Sequence, residues 1–277
     1  MARAGHDASP DDGPRQTRLF VDAPLAADAR IELDADRAHY LRNVLRLEEG
    51  GTVSAFNGRD GEWRARIGEL GKRGARLVAV ERLREQEREP DLWLAFAPVK
   101  RARIDFLAEK ATELGVSALA PVFTRHTAMA RVNVGRLRAN AIEAAEQTER
   151  LSVPQVMEPT TLESMLKSWP AGRLLLLADE SGRGQPIAQA LRELDASARA
   201  APWAVLIGPE GGFHRDELDA LHELDFVTSV GLGPRILRAD TAALAALACW
   251  QALAGDWERP TPRLTPDYRR RDAKQGR

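Results

Sequence analysis

Cysteine, aromatic residues and long apolar runs are all scarce in this chain. The single cysteine among 277 residues, Cys249, rules out an internal disulfide or a cysteine-based metal site, and a reducing cytoplasm fits. The longest weakly polar run, residues 241–255, is shorter than the roughly 20 residues of a membrane helix. We therefore expect a soluble, cytoplasmic protein with no membrane partner, in which Cys249 is a small buried apolar residue.

An excess of charge of one sign is also missing. The formal net charge is −1, which does not indicate a nucleic-acid-binding protein at the level of the whole chain. Within residues 37–76, however, nine lysine or arginine residues stand against five acidic residues. This local excess favours an RNA-facing surface, although an ordinary solvated surface can show a similar mixture.

Several familiar catalytic motifs do not occur. The stretch GLGPRI (residues 231–236) lacks the third glycine of the dinucleotide fingerprint, and no phosphate-binding P-loop is present. The five histidines show no metal-ligand spacing, so we expect no metal. A G-x-S-x-G nucleophile elbow is absent too. These absences disfavour dehydrogenases, nucleotide hydrolases, zinc enzymes and serine hydrolases.

The N-terminal third of the chain has the pattern of a small β domain. Residues 1–17 form a polar lead-in that we expect to be disordered. Residues 18–84 contain short segments of alternating polarity, interrupted by one helical piece, DRAHYLRNVLRLEEG. This region is predicted to be barrel-like. The charged stretch 85–90, which ends in a proline, is the predicted linker.

The remainder of the folded chain, residues 91–257, alternates between strand and helix patterns. Its strands are nearly continuous apolar runs, such as DLWLAFAPV and GRLLLLADE. This alternation predicts an α/β domain with a parallel sheet covered on both faces. The proline- and arginine-rich tail, residues 258–277, is predicted to be disordered.

Glycine-rich loops follow adjacent predicted strands, at the edge where open α/β sheets bind ligands. The loops are LLADESGRG (residues 176–184), IGPEGGF (207–213) and GLGPRILR (231–238). Glycine lets a backbone approach a ligand closely. The simpler interpretation is that these glycines only turn the chain into the next helix, but repeated glycine-rich loops favour a binding site.

These motifs together resemble a known family. IGPEGGF and then LGPRILRADTA, with RLFV, HYLRNVLRLEEG, KRARIDFLAEKATELGV and AAEQTER in the same order, are similar to the 16S ribosomal RNA uridine N3-methyltransferases, the RsmE family of the SPOUT class. The resemblance covers about residues 18–257. One departure is Asp240, where the family pattern has glutamate.

The resemblance implies a fold and a set of partners. It implies an N-terminal PUA-like RNA-binding β-barrel and a C-terminal SPOUT α/β domain with a deep trefoil knot. It also implies S-adenosyl-L-methionine as cofactor, a homodimer, and a substrate that is 16S rRNA within the small ribosomal subunit or its precursor. The apolar helix that begins at Ala239 would lie on the dimer face, or would instead be fully internal.

Site residues are carried over from the family's cofactor loops. The residues predicted to bind the cofactor are Leu177, Ala178, Gly208, Pro209, Glu210, Gly211, Gly212, Leu232, Gly233, Ile236 and Leu237. A side chain introduced at Gly211 is expected to abolish cofactor binding.

Methylation of uridine N3 requires loss of the imide proton, so positive charge near O2 and O4 should stabilise the transition state. Arg238 is the first candidate for this role and Arg235 the second, although Arg235 could brace its loop and Arg238 could pair with an acid. Asp240 would orient Arg238, accept a proton, or cap the helix.

Candidate RNA contacts come from the basic N-terminal region. They are Arg18, Arg42, Arg46, Arg59 and Arg64. Two alternatives to N3 methylation remain open. One is ribose 2′-O-methylation by the same class of fold, and the other is a non-catalytic ribosome-assembly factor that uses the β domain to hold RNA.

Overall fold

The computed structural model describes residues 17–259, which form two units by their internal contacts. One unit holds residues 17–88, 108–113 and 133–156, and the other holds the rest of the described range. The predicted lead-in and tail lie outside the described residues, except for Thr17, Glu258 and Arg259. None of the helices in residues 17–259 is long and apolar enough to cross a membrane.

The first unit is built on a five-stranded sheet. Its elements are β1 (Arg18–Phe20), β2 (Arg30–Leu33), α1 (Ala35–His39), a π-helical turn (Tyr40–Val44), β3 (Thr52–Phe56), β4 (Glu62–Leu70) and β5 (Ala75–Arg84), with α3 (Val134–Gln147) and β8 (Gln155–Val156) from later in the chain. The strands lie in the order β1-β3-β4-β5-β2. Only the β1–β3 pair is parallel. The predicted β domain is confirmed as this sheet, but its described strand pairs do not close it into a barrel.

Alternation of polarity explains the core of this sheet. In β2 and β4, apolar residues such as Ile31 and Ile67 are buried, and the charged residues between them point outward. Ala38 and Leu41 of the helical piece join the same cluster. A second cluster joins Phe20 and Phe56 of the sheet to Ala145 of α3, so α3 belongs to the core of this unit.

The second unit is a parallel α/β sheet. Its elements are β6 (Leu92–Phe96), α2 (Arg101–Glu113, whose last turns fall in the first unit), β7 (Ala118–Phe123), β9 (Thr160–Thr161), α4 (Leu162–Lys167), β10 (Leu174–Ala178), β11 (Gln185–Pro186), α5 (Ile187–Arg192), α6 (Ala196–Ala200), β12 (Trp203–Ile207), α7 (Arg215–His222), β13 (Val227–Gly231) and α8 (Ala239–Leu253).

Strand order places the three predicted loops together. The order is β11-β13-β10-β12-β6-β7, and β9 also pairs with β7. All of these pairs are parallel, which confirms the predicted parallel sheet. Leu175, Leu177, Ala204 and Leu206 of the central strands lie in one buried cluster, because a sheet covered on both faces needs apolar residues throughout. The short elements α4, α6, β9 and β11 were not predicted.

Candidate functional site

Three loops leave the carboxyl ends of the neighbouring strands β13, β10 and β12. We call residues 178–183 the acidic loop, residues 208–213 the glycine loop and residues 232–238 the arginine loop. They enclose a cleft of about 600 Å³. Its lining residues are Arg103, Ala178, Asp179, Glu180, Gly182, Ile207, Gly208, Pro209, Glu210, Gly212, Val230, Gly231, Leu232, Gly233, Pro234, Arg235, Ile236, Leu237, Arg238, Ala239 and Ala242.

The acidic loop is held by two carboxylates. Asp179 is buried, and its carboxylate accepts the Ser181 N–H at 2.8 Å and lies 2.9 Å from His222 Nε2. Burial raises the pKa of Asp179, but the bonds from Ser181 and His222 outweigh it, and the net pKa lies below its usual value. Asp179 therefore stays ionised and ties the acidic loop to α7.

The second carboxylate joins two loops. Glu180 Oε1 accepts the Phe213 N–H at 2.8 Å. Gly212, whose φ is +71°, passes beside this oxygen, and a Cβ there would lie 2.6 Å from it. A Cβ at Gly208 would lie 2.7 Å from the Phe213 ring. These glycines allow the glycine loop to fold against Phe213 and Glu180.

Gly211 has a different environment from its neighbours. A Cβ at Gly211 would lie 3.5 Å from the His126 side chain, which is an ordinary contact, and Gly211 does not line the cleft. His126 Nδ1 lies 3.0 Å from the Gly212 carbonyl oxygen. The expectation that a side chain at Gly211 would fill the ligand face does not fit this geometry, because that position faces His126.

The arginine loop presents open backbone and exposed cations. Gly233 has φ +100° and lines the cleft, and a Cβ there would have no atom within 4 Å. Arg235 and Arg238 both line the cleft, and within residues 17–259 neither guanidinium has a hydrogen bond or ion pair. Arg238 is the residue before α8. Both guanidinium groups are available to an anionic group in the cleft.

Most of the predicted cofactor residues meet at this cleft. Those that line it are Ala178, Gly208, Pro209, Glu210, Gly212, Leu232, Gly233, Ile236 and Leu237. Leu177 instead is fully buried in the core cluster of the central strands. Asp240 does not line the cleft either. Its carboxylate accepts the Thr241 N–H at 2.9 Å and forms no ion pair with Arg238 within the described range.

Sequence reasoning missed several lining residues, among them Arg103, Asp179, Glu180 and Gly182. The acidic loop was recognised as a loop, but only its first residue was carried over as a site residue. Arg103 follows β6, whose carboxyl end lies beside that of β12. The strand order was therefore the missing information, because Arg103 and Glu210 are 107 residues apart in the sequence.

Arg18 has a structural environment in the first unit. Its Nε lies 2.7 Å from Glu62 Oε1, and both side chains are more than nine-tenths buried. Its other nitrogens donate to the carbonyl oxygens of Ala145, Glu146 and Arg150. A guanidinium with this many internal partners cannot turn to a phosphate without losing them. We therefore assign Arg18 to the fold and leave it out of the RNA surface.

The other four candidate RNA contacts are accessible to solvent. Arg46 and Arg59 are exposed, and Arg59 Nη2 donates to the Asp22 carbonyl oxygen at 3.0 Å. Arg42 is half-buried, with Nε 3.2 Å from Asn43 Oδ1. Arg64 forms an exposed ion pair with Glu81. Because exposed ion pairs are weak, the Arg64 guanidinium can still contact a phosphate.

Comparison with known proteins decides the family. A family model described as an RNA methyltransferase domain matches residues 86–251, and one described as an RNA methyltransferase PUA domain matches residues 33–80. The chain belongs to the RNA methyltransferase family. This RNA methyltransferase therefore combines an α/β unit that carries the cleft with a PUA domain.

Individual relatives agree with this assignment. Ribosomal RNA small subunit methyltransferase E of Rickettsia conorii is 34% identical over 84% of this chain and 94% of its own length. The protein of the same name from Synechocystis is 33% identical over 85% of this chain and 77% of its own length. The crystal structure of the Neisseria gonorrhoeae protein of that name, bound to S-adenosyl methionine, has a TM-score of 0.77 and 26% identity, and covers 88% of this chain and 100% of its own.

Proposed function

We propose that this RNA methyltransferase transfers a methyl group from S-adenosyl-L-methionine to N3 of a specific uridine in 16S rRNA of the small ribosomal subunit. The observation that carries the proposal is the cleft itself. Its walls combine glycine backbone with two arginines, Arg235 and Arg238, that lack internal partners in the described chain. Relatives named ribosomal RNA small subunit methyltransferase E support the choice of substrate.

The cleft fits the proposed cofactor in size and chemistry. A volume of about 600 Å³ lies within the usual range of roughly 300–1,000 Å³ for small-molecule sites. Gly233 leaves open space beside the backbone, and Asp179, Glu180 and Glu210 supply negative charge near a cationic ligand. When bound, S-adenosyl-L-methionine supplies an electrophilic methyl group on a sulfonium. The backbone of the glycine and arginine loops would hold it.

The arginine loop would then act on the base. Uridine N3 becomes a nucleophile when its imide proton passes to solvent water, and the resulting charge spreads onto O2 and O4. Arg238 would donate to one of these oxygens in the transition state, with Arg235 as the second donor. Asp240 would position Arg238 indirectly, because its carboxylate stabilises the first turn of α8, which begins directly after Arg238.

RNA binding would be shared with the PUA domain. The Watson–Crick edge of the target must be exposed for N3 to react, so the uridine would be unpaired or flipped out. Arg42, Arg46, Arg59 and Arg64 are proposed to contact phosphates, since their side chains reach solvent.

We also propose three finer features of the fold. They are closure of the five-stranded sheet into a PUA-like barrel, a deep trefoil knot in the SPOUT domain, and domains at residues 18–84 and 91–257 joined by a linker at 85–90. The strand order supports the knot, because β13 lies between β10 and β11 although it comes last in the chain.

A homodimer in the cytoplasm completes the proposal. Helix α8 buries Ala243, Leu247 and Trp250 in its own unit, but Leu244 and Ala248 on its other side are half-buried. An apolar helix surface of this kind suits a second copy. Leu244→Arg should yield a monomer by light scattering, and a dimer of unchanged affinity would exclude this face.

The decisive experiment uses hypomethylated small ribosomal subunits and tritiated S-adenosyl-L-methionine, followed by digestion and nucleoside analysis. Label in 3-methyluridine is expected. Label in a 2′-O-methyl nucleoside would favour the alternative reaction. The absence of both labelling and cofactor affinity would favour an assembly factor that only holds RNA.

A further inference from the structure

A third arginine reaches the cleft from a different wall. Arg103 lies near the start of α2, which follows β6, whereas Arg235 and Arg238 belong to the loop after β13. Its Nη1 lies 2.8 Å from Glu210 Oε1 of the glycine loop. The cleft therefore has cationic groups on two walls, and only the Arg103 wall has a carboxylate partner among the described residues.

The pair between Arg103 and Glu210 is weak enough to exchange. Side-chain exposure is 29% for Arg103 and 47% for Glu210, so water screens their attraction. Exposed ion pairs of this kind contribute little to stability. A phosphate can accept two parallel N–H bonds from a guanidinium and carries a full negative charge. A phosphodiester that enters the cleft can therefore displace Glu210 from Arg103 at small cost.

A nucleotide is large enough to contact the cationic groups on both walls of the cleft at once. Its base edge is the group that the arginine loop is proposed to contact, and its phosphates lie on the far side of the sugar. Lys100, immediately before α2, is exposed and places a second cation three residues before Arg103 in the chain. In contrast, the exposed pair Arg125–Asp216 does not line the cleft.

We propose that Arg103 binds a backbone phosphate of the target RNA strand, and that Glu210 holds the guanidinium in place until the RNA arrives. This assignment rests on the proposed function, since it presumes an RNA substrate. The carboxylate of the cofactor is an alternative source of the same anionic chemistry. Affinity for each ligand, measured separately, distinguishes the two.

The test compares Arg103→Gln, Glu210→Gln and the control Arg125→Gln. Binding to hypomethylated small ribosomal subunits is measured by co-sedimentation at several salt concentrations, and cofactor affinity is measured by calorimetry without RNA. Arg103→Gln should weaken subunit binding about 10-fold and reduce the slope of log affinity against log salt by about 1. Glu210→Gln should strengthen binding, because Arg103 loses its competitor. Arg125→Gln should leave both unchanged.

Three results would overturn the assignment. One is an Arg103→Gln protein with wild-type subunit affinity and salt slope. Another is a loss confined to cofactor affinity, which would place Arg103 on the cofactor carboxylate. The third is weaker subunit binding in Glu210→Gln. Since these readouts are affinities, they are separate from the identity of the methylated nucleoside, which tests the proposed function.

Discussion

Glu180, which lines the cleft, accepts the backbone N–H of Phe213 at 2.8 Å and so connects the acidic loop to the glycine loop. Gly212 lies directly beside this bond, where a Cβ would be 2.6 Å from the same carboxylate oxygen. The glycine is therefore required twice, once for its φ of +71° and once for the space that the carboxylate occupies. Because Glu180 holds the backbone of the glycine loop at Phe213, the shape of the cleft depends on this one carboxylate.

Gly212→Ala should destabilise the protein by about 1–2 kcal/mol, because alanine disfavours positive φ and its Cβ displaces Glu180. Glu180→Ala should cost about 1 kcal/mol through the lost hydrogen bond. The double variant should lose less than the sum, since the steric conflict has gone. Urea unfolding measures all three, and strictly additive losses would mean that the two residues do not interact.

Gly233→Val should lower affinity for S-adenosyl-L-methionine by about 100-fold or more, roughly 2.7 kcal/mol, because the side chain would occupy open space beside the cleft. Gly172→Val is the matched control. Gly172 also has positive φ and open surroundings, but it lies outside the cleft. Both variants should lose similar stability, and only the first should lose affinity in calorimetry. Equal affinities would remove Gly233 from the binding site.

Arg238→Ala should reduce kcat by about 100-fold while cofactor affinity stays within about twofold, since the guanidinium is proposed to act mainly in the transition state. Arg238→Lys should recover part of the rate, because lysine keeps the charge without the planar fork. Single-turnover methylation of small subunits gives the rate. A normal rate in the alanine variant would show that Arg238 does not stabilise the uridine anion.

Arg18→Ala should destabilise the protein by about 3 kcal/mol, because the buried Glu62 carboxylate loses its nearer partner and keeps only the 3.4 Å contact with Arg84 among the described ion pairs. Arg64→Ala, which removes an exposed partner of Glu81, should cost less than about 1 kcal/mol. Urea unfolding compares the two variants. We expect the opposite ranking for RNA affinity, in which Arg64→Ala has the larger specific effect. Similar stabilities would contradict the buried role of Arg18.

Glu146→Gln should stabilise the protein at neutral pH. Burial raises the pKa of Glu146, and its bond with the Phe20 N–H and the charges of Arg37 and Arg18 offset this only in part. The native carboxyl thus holds its proton to higher pH than in the unfolded chain, so stability falls as the pH rises through the native pKa. Glutamine keeps the acceptor and removes that loss.

The gain should be absent at low pH, where the carboxyl is protonated in both states, and complete above the native pKa. Thermal unfolding across this range should show a rise in Tm of about 2 °C for Glu146→Gln at neutral pH. Glu48→Gln, at an exposed position in the same unit, is the control and should change little. A pH-independent difference between Glu146→Gln and wild type would contradict the assigned cause.

Local patterns were sufficient for most of the fold. The apolar runs at β10 and β12 and the alternation in β2 and β4 predicted their strands correctly, because burial on both faces or on one face imposes these patterns directly. The glycine-rich loops were also predicted from residue type, since they follow those strands. The short elements α4 and α6 were missed, because five or six residues carry too little periodicity.

The sequence by itself determined the element types, the loops at the sheet edge and, through its motifs, the family. Tertiary structure decided which side chains meet. It buried Arg18 against Glu62, turned Gly211 toward His126, and joined Arg103 to Glu210 across 107 residues. The physical reason is that periodicity reports only whether a residue faces the core. Pairing between distant residues depends on strand order and on where each strand ends, and neither is encoded within a short window of sequence.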